Sequence, residues 1–424
     1  MKFFSFVILG GLLAGCMAGA LRAQTADPAD VTVGPPGRGQ FPTIQDALES
    51  LHQADSTPVS IHVRNGVYQE KLFLRRPHVS IIGEDRDSTR IVYPVLREEW
   101  NGAHQGSDWG AGVVNIDSTA NDVLLANLTV LNNHGSLHGT YNKHQFAVRG
   151  WGTRIILVHC AILSDGGDAL SLWNRVDGMY YHNDCVFEGW VDFVCPRGWC
   201  FAADCRFFAH NTSAAALWHD GSHDRRQKFV LAHCSFDGRS GFPLARHHRD
   251  GQLYFIQCRF SANMADTPIY RPRSSPAPWI WGARHYFWEC HRDGGDFAWC
   301  ADNLATADGA PAPADVNARW TFDGRWDPEA CIPPVLSCAC IPAPANGETR
   351  VRAASVACSW VPGKDAVAHD VYCGRVSPPA FIGRTTNPVY VLHHLDRGAL
   401  YHWRIDEVSV SGIVTGTEWT FSTE

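Results

Sequence analysis

The chain has 424 residues, of which 45% are hydrophobic and 19% charged. This composition excludes a largely disordered protein, and the length allows a sizeable core and a second domain. Lys and Arg total 36 against 43 Asp and Glu, which gives a formal net charge of −7, and no basic run occurs. A nucleic-acid-binding protein is therefore disfavoured, and the 38 glycines and 16 tryptophans favour a turn-rich β protein.

The chain opens with a short basic start and an almost wholly apolar run over residues 3–20. This pattern predicts a secretory signal peptide over residues 1–23. Two processing routes stay open: cleavage after Ala23, or a lipoprotein signal that ends at Cys16 and leaves a lipid anchor there. An uncleaved anchor is a weaker alternative because the run is short for a membrane span. We expect a secreted or cell-envelope protein, either periplasmic or on the outer surface.

A short helix is predicted immediately after the first strand-like run. Thr43 can act as its N-cap, and Ile44, Ala47, Leu48 and Leu51 form one apolar stripe. Such a helix would cover the open end of a repeat structure.

A short pattern recurs through the middle of the chain: a polar residue, then Cys, then any residue, usually followed by an apolar one. The six cysteines of the pattern are 20 to 32 residues apart: Cys160, Cys185, Cys205, Cys234, Cys258 and Cys290. Leu128 takes the place of the cysteine in an earlier copy. Repeats of this length are typical of solenoids, and the copies alternate as strands do. We therefore predict an all-β fold, a right-handed parallel β-helix over residues 30–330. We expect its cysteines to pack as small apolar residues in an internal ladder, in preference to disulfides or a zinc site.

The composition changes after Pro328. Residues 331–347 are rich in Pro, Ala and Cys and predict a linker, and residues 348–424 carry short alternating strands. The spacing of Leu395 and Tyr401 resembles the tyrosine corner of fibronectin type III sandwiches. We predict a small β-sandwich of that kind, which serves as a spacer or binds polysaccharide or the cell surface.

Two aspartates stand in apolar, glycine-rich surroundings. Asp168 and Asp192 are 24 residues apart, close to the local repeat of 25. One repeat of separation would place the two carboxylates side by side, which raises one pKa and suits a nucleophile beside an acid/base. The alternative is that both residues form solvated turns.

Several motifs together resemble the pectin methylesterases, the aspartyl esterases of carbohydrate esterase family 8. The resemblance covers residues 33 to 328, and Gly189-Trp190-Val191-Asp192-Phe193-Val194 is its most specific motif. The other motifs follow in the family's order: Gly37 to Ala47, Asn65 to Lys71, Ile81 to Glu84, Asn127 to Val130, His144 to Val148 and Leu244 to Arg246.

This resemblance implies a role for each matching residue. Asp192 would attack the ester carbonyl of a methylated galacturonate, and Asp168 would protonate the departing methanol and then activate water. Arg246 would hold the Asp192 carboxylate, and Gln145 would donate a hydrogen bond to the oxyanion. The implied partner is pectin or a related uronate polysaccharide, and neither a metal nor an organic cofactor is implied.

The chain departs from the family pattern in three places. Gly167 stands where the family has a Gln that donates to the oxyanion. Residues 194–199 differ from the usual Phe-Gly-Asn segment, and His247 and His248 replace Pro-Trp, so one sugar-stacking aromatic is missing. Arg197 is a candidate to replace the missing oxyanion donor, and a solvent-facing loop arginine is the alternative. The expected substrate contacts are Phe193, Trp190, Trp199, Arg197 and Trp173, with Trp218 nearby in sequence.

Three functions remain open at this stage. The first is an exported ester hydrolase that removes methyl esters from pectin. The second is a β-helical lyase or hydrolase of uronate polysaccharides, and the third is a divergent polysaccharide-binding protein without activity. Methanol release from esterified pectin separates them.

Overall fold

The computed structural model describes residues 29–35, 39–53, 55–275, 279–330, 337–363, 365–410 and 412–424. The predicted signal peptide, and Cys16 with it, lies outside these residues. Among the helices described, none has the length and apolar character needed to cross a bilayer.

Three parallel sheets are built from strands spread over residues 29–292, and successive strands in each sheet are one repeat apart in sequence. Sheet 1 has ten strands: Ala29–Val33, Val59–Val63, Val79–Gly83, Val123–Ala126, Ile155–Val158, Met179–Asn183, Trp199–Ala203, Phe229–Ala232, Gln252–Ile256 and Arg284–Trp288. Sheet 2 has seven: Leu72–Leu74, Gly112–Ile116, Phe146–Gly150, Leu170–Leu172, Val194–Pro196, Leu217–His219 and Ala245–His247. Sheet 3 has nine: Gly66–Tyr68, Thr89–Val92, Thr129–Asn132, Ala161–Ser164, Val186–Gly189, Arg206–Ala209, Ser235–Gly238, Arg259–Phe260 and His291–Arg292. The chain visits the three sheets in turn, which is consistent with the predicted right-handed parallel β-helix.

The repeated pattern marks the corner between sheet 1 and sheet 3. The polar residue before each cysteine has a left-handed backbone, with φ from 49° to 55°, as at Asn127, His159 and Asp184. Asn, Asp and His tolerate this conformation best among residues with a side chain. The next residue turns into the interior, and the sheet 3 pairing stacks these positions from Leu128 to Cys290.

The six cysteines of the pattern are buried and free, which confirms the prediction of an internal ladder. Their thiols donate to backbone carbonyl oxygens, for example Cys160 to Leu125 at 3.3 Å. Phenylalanines form a second ladder beside them, with the rings of Phe207 and Phe236 stacked at 4.5 Å between centroids. Close stacking of like side chains from repeat to repeat therefore fills the β-helix.

The N-terminal helix, Ile44–Ser50, forms as predicted. The Thr43 hydroxyl accepts from the backbone N–H of Asp46 at 3.0 Å, and Ile44 and Ala47 are buried against the first strands. The other helices are short: Arg97–Ala103, His134–His138 and Ala318–Thr321, with 3₁₀ turns at Ala298–Cys300, Leu304–Thr306 and Pro313–Asp315.

The C-terminal part contains two smaller sheets with an apolar cluster that includes Trp360, Trp403 and Trp419. One sheet has the strands Cys340–Ala343, Ser355–Val361 and Val389–His393, and the other has Glu348–Val351, Ala368–Gly374, Phe381–Thr385, Leu400–Ser409, Gly412–Val414 and Glu418–Thr423. The Tyr401 hydroxyl accepts from the backbone N–H of Asp396 at 2.9 Å, the contact expected of a tyrosine corner.

The predicted linker over residues 331–347 is too long. Cys340–Ala343 is a strand that pairs antiparallel with Ser355–Val361. The Pro-rich composition hid it, because proline is tolerated in an edge strand whose outer N–H needs no partner.

Candidate functional site

Sheet 2 brings the two predicted aspartates together. Leu170 pairs with Val194 on the adjacent strand, so Asp168 and Asp192, each two residues earlier, occupy equivalent positions. Both have left-handed backbones, with φ of 58° and 47°, and the Asp168 N–H donates to the Val191 carbonyl at 2.9 Å. The predicted side-by-side placement is confirmed, because one repeat of sequence equals one step across the sheet.

Arg246 reaches Asp192 from two strands further along the sheet. Its Nε donates to Oδ1 of Asp192 at 2.8 Å, and its Nη2 donates to Oδ2. The Asp192 residue is only 4% exposed. A buried carboxylate is therefore held by a two-pronged, charge-assisted contact, which fixes both its position and its orientation.

Opposing effects set the charge of Asp192. Its pKa is raised from 3.8 to about 6: burial raises it most, the Arg246 guanidinium lowers it, and Asp168, when it is ionised, raises it. The group is thus mostly ionised at neutral pH and gains a proton as the pH falls through about 6.

Asp168 is equally buried but is held differently. It is 5% exposed, and within the described residues no side chain or backbone group donates a hydrogen bond to its carboxylate. Four guanidinium groups interact with it electrostatically: Arg97, Arg149, Arg197 and Arg246. One aspartate is clamped by two hydrogen bonds and its neighbour accepts none from a described residue, an asymmetry that suits different roles.

Arg149 and Arg97 are members of this site that the sequence analysis missed. Arg149 donates from Nη1 to Ser171 Oγ at 2.8 Å and from Nη2 to Asp108 at 2.6 Å, and Arg97 Nε donates to the same Asp108 at 2.7 Å. Burial lowers the pKa of Arg149 to about 10. Strand alternation could have revealed Arg149, since Val148 faces the core and the next residue must face outward. Arg97 lies on a short helix and gives no comparable signal.

Gln145 is fully buried and binds a neighbouring loop. Its Oε1 accepts from the Gly135 N–H at 2.8 Å, and its Nε2 donates to the Thr140 carbonyl at 2.7 Å. One amide hydrogen remains beyond that contact, so the oxyanion role stays a prediction. Gly167 is closely packed: a Cβ there would lie 2.6 Å from a methyl group of Val191.

Trp173 is not an open platform, and the solvent-facing alternative for Arg197 is wrong. The guanidinium carbons of Arg149 and Arg197 lie 3.9 and 3.4 Å from the centroid of the Trp173 ring. They come from the repeat before and the repeat after that of Trp173, so guanidinium groups occupy the positions next to the ring where a sugar would stack. Arg197 is not a solvent-facing loop residue; it is 2% exposed and also lies 4.4 Å from the Trp218 ring.

Trp199 and Phe193 are also not substrate contacts. Trp199 belongs to sheet 1, is 1% exposed, and donates from Nε1 to Asp323 at 3.1 Å, beneath the segment that follows the β-helix. Phe193 is fully buried in the interior core. Nearness to Asp192 in sequence did not place either ring on the outer face of sheet 2.

Trp190 is the predicted aromatic that stays near the surface. It is half-buried, with the Tyr141 ring 5.3 Å and the His210 ring 5.7 Å from it. Tyr141 is 45% exposed. These three rings form an aromatic group beside the segment that leads into Asp192.

Two neighbouring aspartates and a clamping arginine on one sheet of a parallel β-helix form a hydrolase-like site. The Pectinesterase family model matches residues 30–246, just over half of the chain. The chain belongs to the pectinesterase family. The match ends at Arg246, so the C-terminal sheets lie beyond it.

Curated relatives support this membership at low identity. "Probable pectinesterase/pectinesterase inhibitor 23" of Arabidopsis thaliana is 26% identical over 182 residues, which is 42% of this chain and 29% of that protein. "Probable pectinesterase 55" of the same plant is 27% identical over 200 residues, 45% of this chain and 56% of that protein. The matched segment thus spans about a third to half of these relatives' lengths.

Solved structures share the fold. A pectin methylesterase crystallised with a hexasaccharide aligns with a TM-score of 0.58 and 19% identity, covering 72% of this chain and 99% of that one. The pectin methylesterase of Erwinia chrysanthemi aligns with a TM-score of 0.57 and 18% identity, with the same coverage of both chains. The pectin methylesterase from carrot aligns with a TM-score of 0.51 and 17% identity, covering 66% of this chain and 90% of that one.

Proposed function

We propose that this protein is an exported carboxylic ester hydrolase that removes methyl esters from the galacturonate units of pectin. The observation that carries the proposal is the unequal pair of buried aspartates. Asp192 is clamped by Arg246, while Asp168 on the adjacent strand receives no hydrogen bond from any described residue. The family's name and a relative crystallised with a hexasaccharide support a polysaccharide ester as substrate.

In the proposed first step, an oxygen of the Asp192 carboxylate attacks the ester carbonyl carbon of a methylated unit. The tetrahedral intermediate collapses as protonated Asp168 gives its proton to the methoxy oxygen, and methanol leaves. An acyl-enzyme anhydride with Asp192 remains. Arg246 orients the attacking oxygen, since the clamp fixes both carboxylate oxygens.

In the second step, Asp168, now a carboxylate, takes a proton from water as the water oxygen attacks the substrate carbonyl. The bond to Asp192 breaks, the uronate acid is released, and both aspartates return to their starting states. The balance is one ester and one water giving one acid and one methanol. Asp168 acts as acid and then as base, which suits a carboxyl group that accepts no hydrogen bond from a described residue.

The developing oxyanion needs positive or hydrogen-bonding groups nearby. With Gly167 in place of a Gln, the remaining Gln145 hydrogen is one candidate, and the guanidinium groups around Asp168 are the other. We assign most of the stabilisation to Arg149 and Arg197, because these two side chains are buried and already positioned before the substrate binds.

A polysaccharide-binding protein without activity is the second candidate. It is favoured by the commitment of the Gln145 amide to its loop and by the close packing around Gly167. Methanol release from esterified pectin separates the two functions. Methanol formed in equal amount to new carboxylate supports the esterase, and binding of pectin with no methanol supports the binding protein.

The ends of the chain carry two further proposals. The apolar N-terminal run supports export, either by cleavage after Ala23 or by lipidation at Cys16. The tyrosine corner and the separate apolar cluster support a fibronectin type III-like sandwich that binds polysaccharide or the cell surface. Mass spectrometry of the mature N-terminus tests the first, and pectin binding by the chain with and without residues 340–424 tests the second.

A further inference from the structure

Asp108, in the loop before the strand Gly112–Ile116, is the common acceptor of a small arginine network beside sheet 2. Its Oδ1 accepts from Arg97 Nε at 2.7 Å and from Asn101 Nδ2 at 2.9 Å, and its Oδ2 accepts from Arg97 Nη2 at 3.2 Å and from Arg149 Nη2 at 2.6 Å. Burial acts to raise the Asp108 pKa, but these donors outweigh it and hold that pKa below its usual value. Asp108 is therefore a charged anchor at neutral pH.

The loop that carries Asp108 is itself held in place. Lys71 donates from Nζ to the Gly110 carbonyl, and the same Nζ lies 3.3 Å from the centroid of the Trp100 ring. Trp100 Nε1 donates to the Trp109 carbonyl at 2.9 Å. The backbone is thus tied down at both residues that follow Asp108, so the position of its carboxylate is well defined.

Arg149 connects this anchor to the paired aspartates. Its side chain is 1% exposed and donates from one terminal nitrogen to Asp108 and from the other to Ser171. It interacts with Asp168 through its charge and forms no hydrogen bond to it. Two anchors on the two terminal nitrogens fix the plane of the guanidinium as well as its place.

Asp108 and Asp168 compete for the same guanidinium. Both carboxylates attract Arg149, and Asp108 attracts it more strongly. Without the negative charge of Asp108, pairing with Asp168 would become the more favourable arrangement for a buried guanidinium. Arg149 would then hold Asp168 in the way that Arg246 holds Asp192, and the asymmetry between the two aspartates would be lost.

We propose that Asp108 is a positioning residue of the ester hydrolase: it holds Arg149 where its charge stabilises the oxyanion and keeps it from pairing with Asp168. This inference rests on the proposed function and adds to it a residue that touches neither the substrate nor the reacting atoms. Asp108 lies between the motifs of the family resemblance, and none of them implies a role for it. A misplacement of about 1 Å in such a support can lower a rate by about a hundredfold.

The test compares kcat and KM for methanol release from esterified pectin in the parent, Asp108→Asn, Arg149→Met and the combined variant. Asparagine keeps the size of Asp108 but offers one acceptor oxygen in place of two and no charge. We expect Asp108→Asn to lower kcat by about tenfold to a hundredfold, with KM within about threefold of the parent. In the Arg149→Met background the same change should alter kcat by less than about twofold, because the group that Asp108 positions is then absent.

Two further variants complete the comparison. Asp122→Asn is the matched control, since Asp122 also accepts two hydrogen bonds from an arginine, Arg154, at 2.5 and 2.6 Å. It lies at the corner before sheet 1, and its kcat should stay within about twofold of the parent. Asp108→Glu keeps the charge and moves the carboxylate by one methylene. It should fold even if Asp108→Asn does not, and it should lower kcat only when Arg149 is present.

A kcat of Asp108→Asn, or of a folded Asp108→Glu if the asparagine variant does not fold, that equals the kcat of the parent overturns the positioning role. A loss of the same size with and without Arg149 also overturns it, because Asp108 would then act on the stability of the fold or on other residues. Both results leave the esterase in place. A parent that releases no methanol removes the proposed function, and the positioning role with it.

Discussion

Replacing Arg246 by glutamine should move the pH at which Asp192 becomes protonated. In the parent, burial raises the Asp192 pKa to about 6 while Arg246 holds it down through two hydrogen bonds and its charge. An adjacent arginine lowers an aspartate pKa by about 1 to 3. The acid limb of the rate profile should therefore rise by about one to three pH units in Arg246→Gln.

The size of the effect at neutral pH follows from that range. The ionised fraction of Asp192 at pH 7 is about 90% in the parent and falls to between about 50% and 1% in the variant. Protonation alone thus lowers the rate at pH 7 by about twofold to a hundredfold.

The assay is methanol release from esterified pectin between pH 4 and 9, with the enzyme-free rate subtracted. Arg246→Lys is the control, because it keeps a charge but loses the two-pronged contact, and should shift the limb less. An acid limb that stays in place or moves to lower pH in Arg246→Gln would refute this account of the Asp192 charge.

Three further results are expected. Gly167→Gln should not raise methanol release and should lower stability by about 1 to 3 kcal/mol, because the added Cβ would clash with Val191. A variant that releases methanol faster than the parent would show that the site accepts a second oxyanion donor. Burial lowers the pKa of His182 to about 4, so the unfolded chain binds more protons between pH 6.5 and 4 and stability is lost as the pH falls through that window. The free energy of unfolding of His182→Leu, measured in urea relative to the parent, should rise by about 2 kcal/mol when the pH is lowered from 8 to 5. The same difference between variant and parent at both pH values would contradict this expectation. A chain ending at residue 330 should fold and keep its activity on a small methyl ester, and a soluble but inactive product would show that the C-terminal sheets complete the site.

The sequence was sufficient to predict the β-helix because each corner has strict local requirements. A left-handed residue must be polar or glycine, and the next position must be small and apolar, so the Asn-Leu and polar-Cys pairs recur in register. The same spacing predicted that Asp168 and Asp192 would be neighbours. The clamp by Arg246 came from the family resemblance, because that residue lies 54 positions away in sequence.

The surroundings of the aspartates could not be predicted in the same way. Trp199 is covered by residues such as Asp323, which follow it by more than a hundred positions. Trp173 is enclosed by arginines from two different strands, and no local pattern shows which side chains will reach its ring. Side chains that meet across repeats depend on loop paths, which the spacing of the repeats does not determine.

The central claim is that Asp192 is the nucleophile of an ester hydrolase, and the most direct measurement is methanol release by Asp192→Asn beside the parent. The amide is nearly the same size and keeps an oxygen for Arg246, so the variant should fold, with an unchanged near-UV circular dichroism spectrum. We expect methanol release by the parent and a loss of about three orders of magnitude or more in the variant. A folded variant that releases methanol within about tenfold of the parent rate would contradict the claim.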